Sequence, residues 1–406
     1  EQAYGSGMRE GGGFRAGGML TWLDDETYLV QEMDEKTKTR RSMKVSAGTG
    51  TKVPYLDLDS IQEGLPPGFT AGTQAASSSD LSRLIFNVKD DLYLYQPATK
   101  ACRRLTANPA PEKAPRLSPD ARYVAYTRDN DLYACDLGSG LEYRITFDGS
   151  ETILNGYESW VYMEEVSNRA SQYAAFWWSP DSRRLVFQRF DDGPVPVFHI
   201  VRSTGVHGDL ERQRYPKAGD PNPRVKVGIA SLPENTVVWA DFDETADQYL
   251  AWPKWFADGS RVVIQWMSRG QDEIKLFAVD PATGAKQEIY AEKQAAWVEF
   301  FPDLRFLKDG SGFLLKTDVD GWNRLYLYDL AGLLKTRLTQ GDWAVKSISL
   351  VDEKNRRVYF TSGRDGTTGT QLFRVGFDGR DLARLTREPG THFVQVSPGG
   401  SYFLDS

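Results

Sequence analysis

Two adjacent carboxylates, Glu164 and Glu165, follow the aromatic residues Trp160 and Tyr162 in the stretch 153–166. On a regular strand, neighbouring side chains point to opposite faces, so the two acids would diverge. On a helical turn they lie about 100° apart, and both can bend toward one cation. Converging carboxylates that are only partly solvated need a compensating positive charge, or one of them takes up a proton. A substrate ammonium group suits them, because its three N–H donors form charge-assisted hydrogen bonds. The plainer reading is a solvated Glu pair at the start of a short surface helix.

Other chemistries are sparsely supplied. The chain lacks the Gly-x-Ser-x-Gly elbow of an α/β-hydrolase, and Gly5-Ser6-Gly7 and Gly138-Ser139-Gly140 read as loops. Only His199, His207 and His392 are present, too few for a multi-histidine metal site, and each reads as a hydrogen-bonded or surface residue. No metal or cofactor is expected. Cys102 and Cys135 are too few for a disulfide framework or a zinc site; two free thiols is the simpler reading, one bridge the alternative. With 49 basic and 56 acidic residues, the net charge is -7, which argues against a nucleic-acid partner. No run of 18 apolar residues occurs, and no Asn-x-Ser/Thr site. The polar, Gly-rich opening, residues 1–18, does not read as a signal peptide.

The elements that must position the Glu pair are repeats. Five 16-residue segments, 91–106, 131–146, 275–290, 324–339 and 371–386, superpose without a gap. Each has Leu then Tyr or Phe at positions two and three, a polar turn, and Leu or Ile at position fifteen, which reads as a β-hairpin. A turn precedes each hairpin unit, such as Ser118-Pro119-Asp120, Ser179-Pro180-Asp181, Asp258-Gly259, Asp309-Gly310 or Ser397-Pro398-Gly399, and a short apolar strand follows it. Four strands in about 40–50 residues is the arithmetic of a β-propeller blade. The expected fold is therefore all-β, an eight-bladed propeller of four-stranded antiparallel blades occupying residues 1–406. The blades are placed at 16–60, 68–106, 112–146, 150–240, 247–290, 297–339 and 344–386, with an incomplete eighth from 390. Seven blades plus a stray hairpin is the alternative count. Blade four carries insertions at about 148–172 and 202–224. The short last unit implies a fragment whose parent continues.

The run 153–166, then Trp177-Trp178-Ser179-Pro180, then Tyr215-Pro216-Lys217-Ala218-Gly219 with Asn222-Pro223, resembles the N-terminal propeller of the dipeptidyl peptidase IV family. Order and spacing agree, with Met163 standing where the family has a first Glu. Residues 320–326, 338–343 and 385–392 look like bacterial members. The resemblance implies a serine exopeptidase of the prolyl oligopeptidase superfamily that releases N-terminal dipeptides with Pro or Ala second. It implies Glu164 and Glu165 as ligands of the substrate ammonium, and Phe300 or Phe301 as an aromatic wall of the pocket. The family's arginine for the substrate carbonyl has no clear match; Arg103, Arg104 and Arg116 are the candidates. The catalytic triad would lie in a C-terminal α/β-hydrolase domain absent from this chain, so no catalytic residue is expected here. A homodimer through an arm near 202–224 and a periplasmic or extracellular site are further implications. Rival readings are a prolyl tripeptidyl aminopeptidase and a non-enzymatic protein-binding propeller.

Overall fold

A computed structural model describes residues 21–33, 40–56, 58–169, 171–202 and 206–405. The polar opening of the chain lies outside the described residues. Seven antiparallel sheets follow one another along the sequence, six of four strands and one of five. They occupy 21–56, 76–104, 113–144, 153–239, 248–293, 305–337 and 345–384, and each is a blade of a β-propeller. The expected eight blades are corrected to seven. Val394–Val396 pairs with Phe403–Asp405 and with no third strand among the described residues, so the eighth unit is a two-stranded ribbon. Among the described residues one α-helix, Leu58–Gly64, follows blade one in sequence and precedes blade two, and its short span carried no helical period.

Two compact units are defined: residues 1–63, 314–328 and 334–406 form one, and 64–313 with 329–333 form the other. In the second unit, the middle strands of blade three, Tyr123–Arg128 and Asp131–Asp136, are buried at every position. Their apolar runs are continuous because both faces are covered. The outer strand Glu142–Arg144 is exposed at alternate positions instead.

The repeated Leu-Thr ending has a structural cause. Thr106, Thr146, Thr339 and Thr386 each accept, on Oγ1, the backbone amide of the leucine second in the third strand of the blade, at 2.8–3.0 Å. Thr146 also donates to Asp131 at 2.7 Å, while Arg144 reaches the same carboxylate at 2.7 Å. The hydroxyl thus satisfies a buried amide that the outer strand leaves over. Blade three adds a buried ion network in which Arg128 bridges Glu112 at 3.2 Å and Glu142 at 2.8 Å.

Blade four carries two interruptions of its regular strand order. The first interrupts the inner strand itself, leaving Ile153–Asn155 and Phe176–Trp178 paired separately to Arg184–Asp191. That split makes the fifth strand. The second is a hairpin of Val197–Arg202 with Asp209–Arg214, beginning before residue 202 and ending before 224.

On the ribbon, His392 Nδ1 meets the Asp405 carboxylate at 2.7 Å and Nε2 meets the Glu388 carbonyl at 3.0 Å. Both partners are acceptors, so the doubly protonated ring fits. The Glu388 carbonyl and then the Asp405 carboxylate raise the pKa above the usual 6.5. A raised folded pKa stabilises fully below the unfolded value and is lost as pH rises through the folded one. Thermal midpoints of the wild type and His392→Leu are therefore expected to differ most near pH ~6 and to converge toward pH ~9. A gap that widens with pH would contradict the charged pair.

Candidate functional site

Glu164 and Glu165 lie on a five-residue π-helical turn, Tyr162–Val166, inside the first insertion. The Ser167 amide closes it onto the Tyr162 carbonyl, five residues back, at 2.7 Å. Such turns are uncommon and concentrate at functional sites. The two acids therefore lie on a helical turn, wider than an α-helical one.

One face of the turn is anchored. Tyr162 is fully buried, 4.7 Å from Phe190 and 6.2 Å from Tyr249 between ring centres, and Val161 and Val166 pack on the same core. Trp160 sits 4.8 Å from Tyr215. Segments 153–166 and 215–223, far apart in sequence, therefore meet at this turn. The other face carries the acids. Glu164 is half-buried and Glu165 exposed, and neither pairs with a cation among the described residues.

A clamp that the sequence did not signal holds the ends of the turn. Glu158, 1% exposed, accepts from Ser167 Oγ at 2.8 Å and from Arg169 at 2.6 Å. Arg169 donates as well to the Ala174 carbonyl at 2.9 Å and stacks over Trp177 at 5.2 Å. Residue 158 precedes the turn and 167 and 169 follow it, so one buried carboxylate ties entry to exit. Burial raises the Glu158 pKa, with Arg169 and Ser167 opposing. Nearby, burial pushes Asp192 up to about 6, against the Ser159 hydroxyl. Spacing alone could not reveal the clamp, because it depends on the chain reversing between residues 158 and 169.

The remaining candidates separate by their contacts. Phe301 is buried, 5.8 Å from Tyr290, with its amide and carbonyl held by Gln265, while Phe300 is half-buried. Arg103 donates to the Leu137 carbonyl, and Arg104 pairs with Asp91. Arg116 has no carboxylate partner among the described residues; desolvation of its guanidinium and then the like charge of Arg169 lower its pKa. His199 and His207 lie on the exposed hairpin. Cys102 and Cys135 are free thiols, and burial pushes Cys135 up to about 11. No group of three metal-ligating side chains occurs among the described residues, and no described helix is long and apolar enough to cross a membrane.

Blades with one interrupted inner strand define the class, a β-propeller with an acid-bearing insertion in blade four. The family model described as the dipeptidyl peptidase IV (DPP IV) N-terminal region matches residues 76–406. The chain belongs to that family. It is 29% identical over 305 residues to dipeptidyl peptidase 4 of Trichophyton tonsurans, covering 71% of this chain and 38% of that protein. It is 31% identical over 318 residues to the Emericella nidulans protein named probable dipeptidyl-aminopeptidase B, covering 71% and 34%. The chain thus spans little more than a third of these curated relatives. Its fold matches the crystal structure of Porphyromonas gingivalis dipeptidyl peptidase 4 with a TM-score of 0.82, at 22% identity, over 96% of this chain and 56% of that one.

Replacing Glu158 by Gln removes the charge that holds Arg169, at an expected cost of about 1–3 kcal/mol. A lower thermal midpoint, with faster amide exchange at 162–169, is the expected result. Unchanged exchange there would show that the clamp does not hold the turn.

Proposed function

We propose that this chain is the substrate-recognition propeller of a serine dipeptidyl aminopeptidase, with Glu164 and Glu165 binding the α-ammonium of a peptide bearing Pro or Ala second. The observation that carries the reading is the pair itself: two adjacent carboxylates, without a cation partner among the described residues, on a turn whose opposite face is fixed in the core. Discrimination follows from desolvation. A free ammonium satisfies both carboxylates, whereas a neutral peptide nitrogen would leave them unpaired at a cost of several kcal/mol. Fixing the amine at a set depth measures off two residues and positions the scissile bond. In this reading the bond-making groups belong to an α/β-hydrolase domain of the same polypeptide. Arg116, the one of the three candidate arginines whose guanidinium has no hydrogen-bond or ion-pair partner among the described residues, is the proposed contact for the substrate carbonyl, and Phe300 the proposed wall.

The test uses a polypeptide joining this chain to its hydrolase domain, assayed on Gly-Pro-p-nitroanilide. Glu164→Ala/Glu165→Ala is expected to lower kcat/KM by about 100-fold or more, since each charge-assisted bond contributes ~1.5–3 kcal/mol. A double variant that cleaves as well as the parent would reduce the pair to a surface feature.

The hairpin of 197–214 is the proposed dimer surface. Val201 is 76% and Val206 94% exposed, with Phe198, Ile200 and Leu210 also exposed. Exposed apolar strands of this kind mark interaction sites. Ile200→Glu/Val201→Glu is expected to shift the sedimentation of the protein from dimer to monomer; a parent that sediments as a monomer would contradict the arm's role. The proposed site of action is the periplasm or the cell exterior, which cell fractionation checks.

A further inference from the structure

Three turns between the first and second strands of blades share one fastening. A serine hydroxyl donates to an aspartate two residues later, in Ser78 with Asp80, Ser118 with Asp120 and Ser179 with Asp181, at 2.5–2.6 Å. The same aspartate oxygen accepts the amide two residues further on, from Ser82, Arg122 or Arg183. The serine oxygen accepts a third bond, from the amide of Arg83, Tyr123 or Arg184. The residue after the aspartate is left-handed each time, with φ of 56°, 54° and 62° at Leu81, Ala121 and Ser182.

The ribbon turn keeps every part but one. Ser397 Oγ accepts the Tyr402 amide at 3.1 Å, and Gly400 has φ of 76°. Gly399, however, stands where the aspartate belongs.

We propose that Asp25 of blade one is the missing carboxylate, so that the first blade fastens the last turn of the chain. Its Oδ1 accepts the Ser397 hydroxyl and the Ser401 amide at 3.3 Å, the counterparts of the two donors that Asp120 receives within its own turn. It also accepts the Gly399 amide at 2.8 Å. The glycine is what makes room. A Cβ at 399 would sit 2.6 Å from Asp25 Cγ, so a side chain there and the carboxylate of Asp25 exclude each other. The adjacent Asp24 fastens blade one's own turn, accepting the amides of Glu26 and Thr27 at 2.9 and 2.7 Å. Neighbouring carboxylates thus serve two turns more than 370 residues apart. A second tie runs alongside, from the Trp22 indole to the Gln395 carbonyl at 3.3 Å. Asp25 is a strap: when it lets go, the ribbon turn loses the one carboxylate it has among the described residues, and blade one keeps only the Trp22 tie described above.

Amide exchange at fixed pH tests the strap with three variants of this chain. Asp25→Ala is expected to speed exchange at Gly399 and Ser401 at least about tenfold, with faster exchange at Thr21–Trp22. Gly399→Asp alone places two carboxylates in one space and is expected to lower the thermal midpoint. The double variant, Asp25→Ala/Gly399→Asp, gives the turn its own aspartate. Protection at Ser401 is expected to return in it, while Thr21–Trp22 stays as loose as in Asp25→Ala. Because the double variant keeps one carboxylate in the turn, it separates loss of the strap from loss of folding. Unchanged protection at Gly399 and Ser401 in Asp25→Ala, or no recovery at Ser401 in the double variant, overturns the assignment.

Discussion

A four-stranded blade depends on what happens to the amides at its ends. Along the middle strands the ladder pairs the backbone, but at several blade ends amides are left without a strand partner. This chain meets them with short oxygen-bearing side chains. Thr106, Thr146, Thr339 and Thr386 take the amides at the outer corner, and Ser118 with Asp120 and its repeats take those at the inner one. An unmade bond at such a site costs about 1–3 kcal/mol. Repetition of the clasp, more than any single hydrophobic contact, is what makes the sequence periodic.

Against that regular background, blade four is where the pattern is spent on something else. Its inner strand breaks between Asn155 and Phe176, and the excursion is rebuilt with its own buried supports. Tyr162 fills the core, and Glu158 with Arg169 closes the base. In the proposed role a rigid base keeps Glu164 and Glu165 on one turn despite their like charge, and the ammonium end of a peptide is a cation with the donors to match.

Much of the fold was legible because apolar, turn and clasp residues recur at fixed spacing: the hairpin repeat, the Ser-Pro-Asp turns and the blade spans derive from them together. The eight-blade count failed at 394–405, where the turn signature is present but only two strands pair. A signature marks a turn, and it does not count the strands that follow. The Glu pair was singled out from its place after Trp160 and Tyr162, but its role came only from the family resemblance and is here a proposal. Glu158 with Arg169, and Asp25 with Ser397, were not legible, because each pairing depends on the folded path of the chain and neither Glu158 nor Asp25 stands at a repeated position. Phe301 and Phe300 read alike in sequence; Gln265, which grips the backbone of Phe301, distinguishes them.

The most direct measurement is a crystal structure of the chain, joined to its hydrolase domain, with a Gly-Pro or Ala-Pro dipeptide bound. The ammonium nitrogen is expected within about 2.7–2.9 Å of oxygens from both Glu164 and Glu165, the length of a charge-assisted bond. An ammonium group placed elsewhere, with both carboxylates left in solvent, would contradict the role assigned to the pair.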